Sequence, residues 1–239
     1  MNKTKIKIAA ISDLHGMLPT IEESADILLI AGDVIPLAIQ FNKVESMKWF
    51  ETTFAEWILS VPVEDVYMVA GNHDAYLESA NKTKIGKILQ ATNFKLHYLE
   101  NTDIVYRNCD GVEFKIFGTP YCHRYGTWPF MRDDEYMEEK FKQIPEDVDI
   151  IISHDPPYGL CDADVILEDT RNLGRGLQHL GNVPLAQRIV NIPYKLHVCG
   201  HIHSGDHNLV RNTANVSLCN ENYSGVYPVF YTEIEKEYE

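Results

Sequence analysis

The 239-residue sequence has no apolar run approaching the roughly 18 residues that a membrane-spanning helix needs. Its opening stretch, Asn2 to Lys7, is basic, but the apolar segment that follows, Ile8 to Ile11, falls short of the roughly 7–15 residues of a signal-peptide core. It reads as a first strand, and the expected location is the cytoplasm. Cysteine is sparse: Cys109, Cys122, Cys161, Cys199 and Cys219 are odd in number, widely spaced, and contain no Cys-x-x-Cys pair. That suggests neither a disulfide framework nor a thiolate zinc clip, and leaves free thiols as the expectation. Positive charge is also scarce. With 21 basic against 35 acidic residues the net charge is -14, a field that repels phosphate backbones at long range. A stable nucleic-acid or membrane partner is therefore not expected. A small anionic substrate stays open, because a bound dication reverses the local field. Repeats, low-complexity tracts and long linkers are lacking too, so one domain over residues 1–239 is expected.

What is present is a 45% hydrophobic chain in which short apolar runs alternate with helical stretches. Strands are expected at Ile6–Ile11, Ala25–Ile30, Asp65–Ala70, Leu96–Leu99, Ile104–Tyr106, Glu113–Phe117, Asp149–Ile152, Leu196–Cys199, Asn208–Val210, Asn215–Leu218 and Val226–Ile234. Helices are expected over about Leu37–Leu59, with an apolar set running from Phe41 and Val44 to Trp57, and over Thr83–Ala91, Asp133–Ile144 and Val183–Val190. The order predicts a layered α/β core, in which ligands sit at the carboxyl ends of strands.

Five of those strand ends carry chemistry: Asp13 and His15, Asp33, Asn72 with His73 and Asp74, His154, and His201 with His203. Asp13, His15, Asp33, Asn72, His73, His154, His201 and His203 carry carboxylate, amide or imidazole groups, each able to ligate a borderline dication through oxygen or nitrogen. The i, i+2 pairs Asp13/His15 and His201/His203 would share one face of an extended backbone. Each element alone is a weak signal: an isolated Asp-x-His arises by chance, and Asp33 or Asn72 after glycine is an ordinary turn residue. Five in order, each closing an apolar run, are strong.

Ser12-Asp13-Leu14-His15-Gly16, Gly32-Asp33, Gly71-Asn72-His73-Asp74, Ser153-His154-Asp155-Pro156-Pro157 and Gly200-His201-Ile202-His203 together resemble the signature of the calcineurin-like metallophosphoesterases. The stretch from Ser153 to Cys219 looks most like the class III cyclic-nucleotide phosphodiesterases and the animal metallophosphoesterase-domain phosphodiesterases. The resemblance implies a four-layer α/β/β/α sandwich and a hydrolase acting on phosphoric esters, a phosphodiesterase in the first instance. It implies two divalent ions, drawn from manganese, iron, zinc and nickel. Asp13, His15 and His203 would hold the first, Asn72, His154 and His201 the second, and Asp33 would bridge them. Water activated by the pair would attack phosphorus while His73 aids the leaving oxygen, and Asp74 would orient His73 or serve the turn. Some relatives carry Gly where this chain has His201, so the second site is expected to be complete. The implied partner is a small phosphoester, with cyclic nucleotides among the candidates. Two other readings are a non-catalytic scaffold and a nuclease on short single strands.

Several residues near the motifs are expected to be structural. These are His197 as a core residue, His207 at the surface or a pocket rim, His123 away from substrate, and Tyr121, Tyr125, Trp128 and Phe130 as packing. The Trp49/Phe50/Phe54/Trp57 stripe should be helix-to-sheet core. Arg171 and Arg175, in a Gly-rich insertion, could hold a phosphate, but a solvated loop is the expectation. No substrate-binding residue is assigned.

Overall fold

A computed structural model describes residues 2–22, 24–165 and 177–238; Arg171 and Arg175 lie outside the described residues. The chain begins with β1 (Asn2–Ile11) and β2 (Ile27–Ile30). A 3-10 turn (Leu37–Ile39) then leads into a helical run made of α1 (Lys43–Trp49), a π-helical turn (Phe50–Phe54) and α2 (Ala55–Ser60). Next come β3 (Asp65–Met68), α3 (Ala75–Ser79), α4 (Lys82–Ala91) and β4 (Leu96–Tyr98). The second half contains β5 (Thr102–Arg107), β6 (Glu113–Thr119), β7 (Cys122–His123), β8 (Met131–Arg132) and α5 (Asp134–Phe141). It continues through β9 (Ile150–Ser153), β10 (Ala163–Val165), β11 (Leu177–His179), α6 (Val183–Ile189), β12 (Leu196–Cys199), β13 (Thr213–Asn215) and β14 (Phe230–Tyr238).

Two five-stranded sheets result, ordered β14-β1-β2-β3-β4 and β13-β12-β9-β6-β5. Each is parallel apart from one antiparallel edge strand, β14 on β1 and β5 on β6. Parallel neighbours need crossovers, and the helices supply them: α1–α4 within the first sheet, α5 and α6 within the second. The strands read as continuous apolar runs because both faces are covered. Ile8, Ala10, Leu29 and Tyr67 meet Ile116, Ile150, Ile152 and Val198 between the sheets. The opposite faces, including Ile11, Leu28, Ile30 and Phe117, pack with Phe50, Phe54, Met137, Phe141 and Leu185 from the helices. The result is the four-layer α/β/β/α arrangement.

The departures from expectation have physical causes. The first helix begins at Lys43, not Leu37, because the Asn42 side chain accepts from the N–H groups of Val44 and Glu45 and caps it there. Phe41 (65% exposed) and Val44 (71%) consequently lie outside the core that their spacing suggested. The π turn keeps Phe50 and Phe54 on the buried face, where each contributes about 1.5–3 kcal/mol of burial. The last strand is displaced toward the C-terminus. Its polar alternation pairs with basic β1, with Lys3 against Glu235 and Glu237 and Lys5 against Glu233. Asn208–Val210 forms only a single bridge, Val210 to Thr213. The β10–β11 hairpin carries no alternating pattern and was not foreseen.

Candidate metal centre

The ligand candidates stand where β1, β2, β3, β9 and β12 end, at the junction of the two sheets. The chain does not reach them in extended form. Asp13 (φ 53°), His15 (φ 43°), Asp33 (φ 54°) and His201 (φ 67°) all occupy the left-handed region, which non-glycine residues rarely adopt. Paired faces of a strand therefore do not explain the i, i+2 spacing; a tight kink after the strand does. Parallel hydrogen bonds carry the first two loops side by side, His15 N–H to the Asp33 carbonyl (2.9 Å) and Gly16 N–H to the Val34 carbonyl (2.9 Å). Leu14, fully buried, anchors the kink to the core. Across the junction, Asn215 Nδ2 donates to the Ile202 carbonyl (2.8 Å) and braces the loop bearing His201 and His203.

These kinks gather the donors. Asp13, His15 and His203 form one group and Asp13, Asp33 and His154 another, the ligand atoms of each lying within 4.8 Å of one another. His154 Nε2 is 3.3 Å from Asp33 Oδ2 and 3.1 Å from Asn72 Oδ1, and His203 Nε2 is 3.3 Å from Asp13 Oδ1. The far nitrogens are committed: His154 Nδ1–H donates to the Ala31 carbonyl (2.7 Å) and His203 Nδ1–H to the Asn220 carbonyl (3.0 Å). That fixes the tautomer and turns Nε2 inward, as metal-ligating histidines require. Space is tight as well. A Cβ on Gly71 would stand 2.6 Å from His154 Nε2, so only glycine lets the backbone approach this closely.

The donor set fits two dications. Both ring nitrogens of His15 are buried with no hydrogen-bond partner among the described residues. A buried imidazole left bare on both sides is costly unless an ion takes up a lone pair. The metal-free electrostatics agree. Burial would raise the carboxyls of Asp13 and Asp33, yet His203 and His154 hold Asp13 well below the usual range, and His154 and His73 do the same for Asp33. Burial opposes a charged His154, but Asp33 and Asp13 raise it to about 10. His201, with burial dominant, falls to about 4 and stays neutral, ready to donate a lone pair. Positive charge thus stands in among the carboxylates where a cation belongs.

His73 and Asp74 take different places. The His73 N–H donates to Asp33 Oδ1 (2.7 Å), while the ring leans over the cleft, 5.0 Å from the His15 ring. Its Nδ1 lies 2.6 Å from Gln40 Oε1. Asp74 does not orient it. The Asp74 carboxylate accepts from the N–H groups of Val34 (3.1 Å), Ile35 (3.1 Å) and Gly71 (2.8 Å), tying the Asp33 and Asn72 loops together. Burial, with the Asp33 charge beside it, pushes its carboxyl up to about 7 despite those donors. Gln40 is thus the orienting residue, and nothing in its sequence setting marks it.

The cleft over the centre has a volume of about 180 Å³ and is lined by Asp33, Asn72, His73, Tyr125, His201, His203, Glu221 and Tyr223. A larger depression, about 420 Å³, lies on the β1–β14 edge at Lys7, Thr232 and Glu233 and contains none of these donors. Of the four aromatics expected to pack, Tyr121 and Phe130 are buried. The Trp128 ring instead stands 4.7 Å from His73, and that of Tyr125 lies 5.8 Å from His201. Tyr223, unforeseen, presents its ring edge to His15 at 4.9 Å. His123 is bound by Asp155 (Nδ1 to Oδ2, 2.9 Å) and lies with its ring 6.4 Å from His201, nearer the centre than expected. His207 stacks on Tyr227 at 3.6 Å.

Known proteins point the same way. The family described as calcineurin-like phosphoesterase matches residues 6–205. Metallophosphoesterase domain-containing protein 1 of Homo sapiens is 28% identical over 241 residues, an alignment covering 93% of this chain and 69% of that protein. Phosphopantetheinyl hydrolase of Mycobacterium tuberculosis shares the fold with a TM-score of 0.53 at 15% identity, over 91% of this chain and 90% of the other. A further solved structure superposes with a TM-score of 0.67 at 16% identity, over 97% and 95% of the two chains.

Proposed function

This chain belongs to the calcineurin-like phosphoesterase family, and from that premise we propose that it is a metal-dependent phosphodiesterase acting on a small phosphodiester. The observation that carries the reading is the convergence of Asp13, His15, Asp33, Asn72, His154, His201 and His203 on one buried junction, with His15 left bare on both ring nitrogens. Asp13, His15 and His203 would hold one ion, Asn72, His154 and His201 the other, with Asp33 between them. When bound, the pair supplies Lewis acidity to the phosphoryl oxygens and lowers the pKa of a nucleophilic water. Nitrogen and oxygen donors of this kind suit manganese, iron, zinc or nickel.

The protein's own groups do the rest. Gln40 Oε1 can only accept, so the proton of a neutral His73 sits on Nδ1 and Nε2 faces the cleft. Once protonated there, His73 can give the Nε2 proton to the leaving oxygen as its bond to phosphorus breaks, a contribution of about 10²–10⁴-fold. Tyr125 and Tyr223 line the cleft, and Trp128 stands against His73. A diester is favoured over a monoester by charge. Among the described residues lining the cleft there is no Lys or Arg, while Asp33 and Glu221 are acidic. The ions would offset the ligand carboxylates, and no further cationic side chain in that lining is placed to balance the second charge of a monoester dianion.

The test compares hydrolysis of bis(p-nitrophenyl) phosphate with that of p-nitrophenyl phosphate by protein loaded with manganese or zinc. The diester should turn over faster, and His73→Ala should lower its kcat about 10²–10⁴-fold with metal content unchanged. Folded, metal-loaded protein that hydrolyses neither ester would defeat the proposal.

A further inference from the structure

One more donor lies beside the centre. Cys122 is fully buried, and its Sγ lies within 4.8 Å of a ring nitrogen of His154 and of one of His201, which are equally close to each other. His154 Nδ1 is taken by the Ala31 carbonyl, so its free nitrogen is the Nε2 that faces Asp33 and Asn72. Both imidazoles of this triangle thus belong to the group assigned to the second ion.

The backbone holds Cys122 firmly. It starts β7, which pairs in parallel with β8, and its N–H donates to the Phe130 carbonyl (3.1 Å). The next residue is tied down as well, the His123 N–H donating to Asp155 Oδ2 (2.9 Å). The thiol's own hydrogen bond is weak, reaching the Pro120 carbonyl at 3.6 Å. A buried cysteine often serves merely as a small apolar side chain. Core packing accounts for the burial, but it does not require a sulfur to meet two histidines, one of which also approaches the Asp33 carboxylate and the Asn72 amide oxygen.

We propose that Cys122 is a ligand of the second metal site, adding sulfur to Asp33, Asn72, His154 and His201. The inference rests on the dinuclear reading given above. On coordination the S–H bond breaks, its electron pair goes to the ion and its proton to solvent; no oxidant or reductant takes part. A mixed nitrogen, oxygen and sulfur set favours a softer ion, zinc over manganese, at this position.

Cobalt(II) loading of the metal-stripped full chain separates the two ideas. Visible d–d absorption reports that cobalt is bound at all, and a near-ultraviolet sulfur-to-cobalt charge-transfer band reports a thiolate ligand. The expected result is both signals in the unaltered chain. In Cys122→Ser the charge-transfer band should fall to baseline while the visible bands persist, and in the control Cys109→Ser, at an exposed cysteine, both should remain. The zinc-to-manganese occupancy ratio of Cys122→Ser should also fall on the order of tenfold or more. Should Cys122→Ser fold poorly, Cys122→Ala is read in the same way. Visible bands without a charge-transfer band in the unaltered chain, or a band that survives loss of Cys122, overturn the proposal and leave the dinuclear reading standing. Absence of any visible band overturns both.

Discussion

His197 provides a pH-dependent test of how β12 is seated beneath the metal loops. It is fully buried, and burial lowers it from 6.5 to about 3, so it is neutral in the folded chain at ordinary pH. The surrounding hydrogen bonds suit one neutral tautomer. The Ser153 hydroxyl donates to the Asp155 carbonyl (2.6 Å), so it accepts from His197 Nε2–H (2.7 Å), while Nδ1 faces the Thr213 hydroxyl at 3.4 Å. The unfolded chain takes up a proton near 6.5 that the folded chain refuses until about 3. Stability carried by this group is therefore present above 6.5 and is lost as the pH falls through that value toward 3. At about 1.36 kcal/mol per unit, the loss by pH 5 relative to pH 7.5 is about 2 kcal/mol. The assay is urea unfolding of metal-stripped protein, followed by tryptophan fluorescence between pH 4.5 and 7.5, for the unaltered chain and His197→Gln. Whatever constant stability the substitution costs, the difference between the two curves should slope below pH 6.5 and flatten above pH 7. A difference that stays flat over the whole range refutes the reasoning.

Three other outcomes are expected. Gly71→Ala should fold but bind metal poorly, because its Cβ would press on Asp33 Oδ1 and His154 Nε2; metal content after dialysis checks this. Asp74→Ala leaves the N–H groups of Val34, Ile35 and Gly71 without their acceptor, so urea unfolding should show about 3 kcal/mol or more of lost stability, with Asp74→Asn intermediate. Zinc or manganese at about 100 times its dissociation constant should stabilise the chain by about 2.7 kcal/mol, and EDTA should reverse the thermal shift.

Much of this was legible in the sequence, for a definable reason. The donors stand next to apolar runs that can only be strands, so their order along the chain also gave their place at strand ends. Asp33 and Asn72 could be picked out because glycines beside them announced tight turns. Gln40, Tyr223 and Cys122 carried no such signal. Each reaches the centre through a loop whose path is set by packing elsewhere: the Asn42 cap for Gln40, the Asn220 turn for Tyr223, the β7–β8 pairing for Cys122. Trp128 and Phe130 were indistinguishable by pattern, since alternation in a short irregular segment does not say which aromatic enters the core and which stands against His73. The role of Asp74 was ambiguous because its neighbour His73 is the obvious partner in sequence, whereas its true partners, Val34 and Ile35, lie some 40 positions away.

The division of donors between the two sheets also sets a timetable for a chain made from its N-terminus. Asp13, Asp33 and Asn72 emerge early, crowding two carboxylates together without an imidazole from the second sheet to offset them. His154 adds to the relief that His73 gives Asp33 only after β9, and His201 and His203 come last. With the ligands assigned as proposed, a nascent chain would have no complete nest for either ion until about 200 residues have been made. Metal capture at the proposed centre would thus come late in biogenesis, sealing a nearly finished polypeptide instead of nucleating a young one.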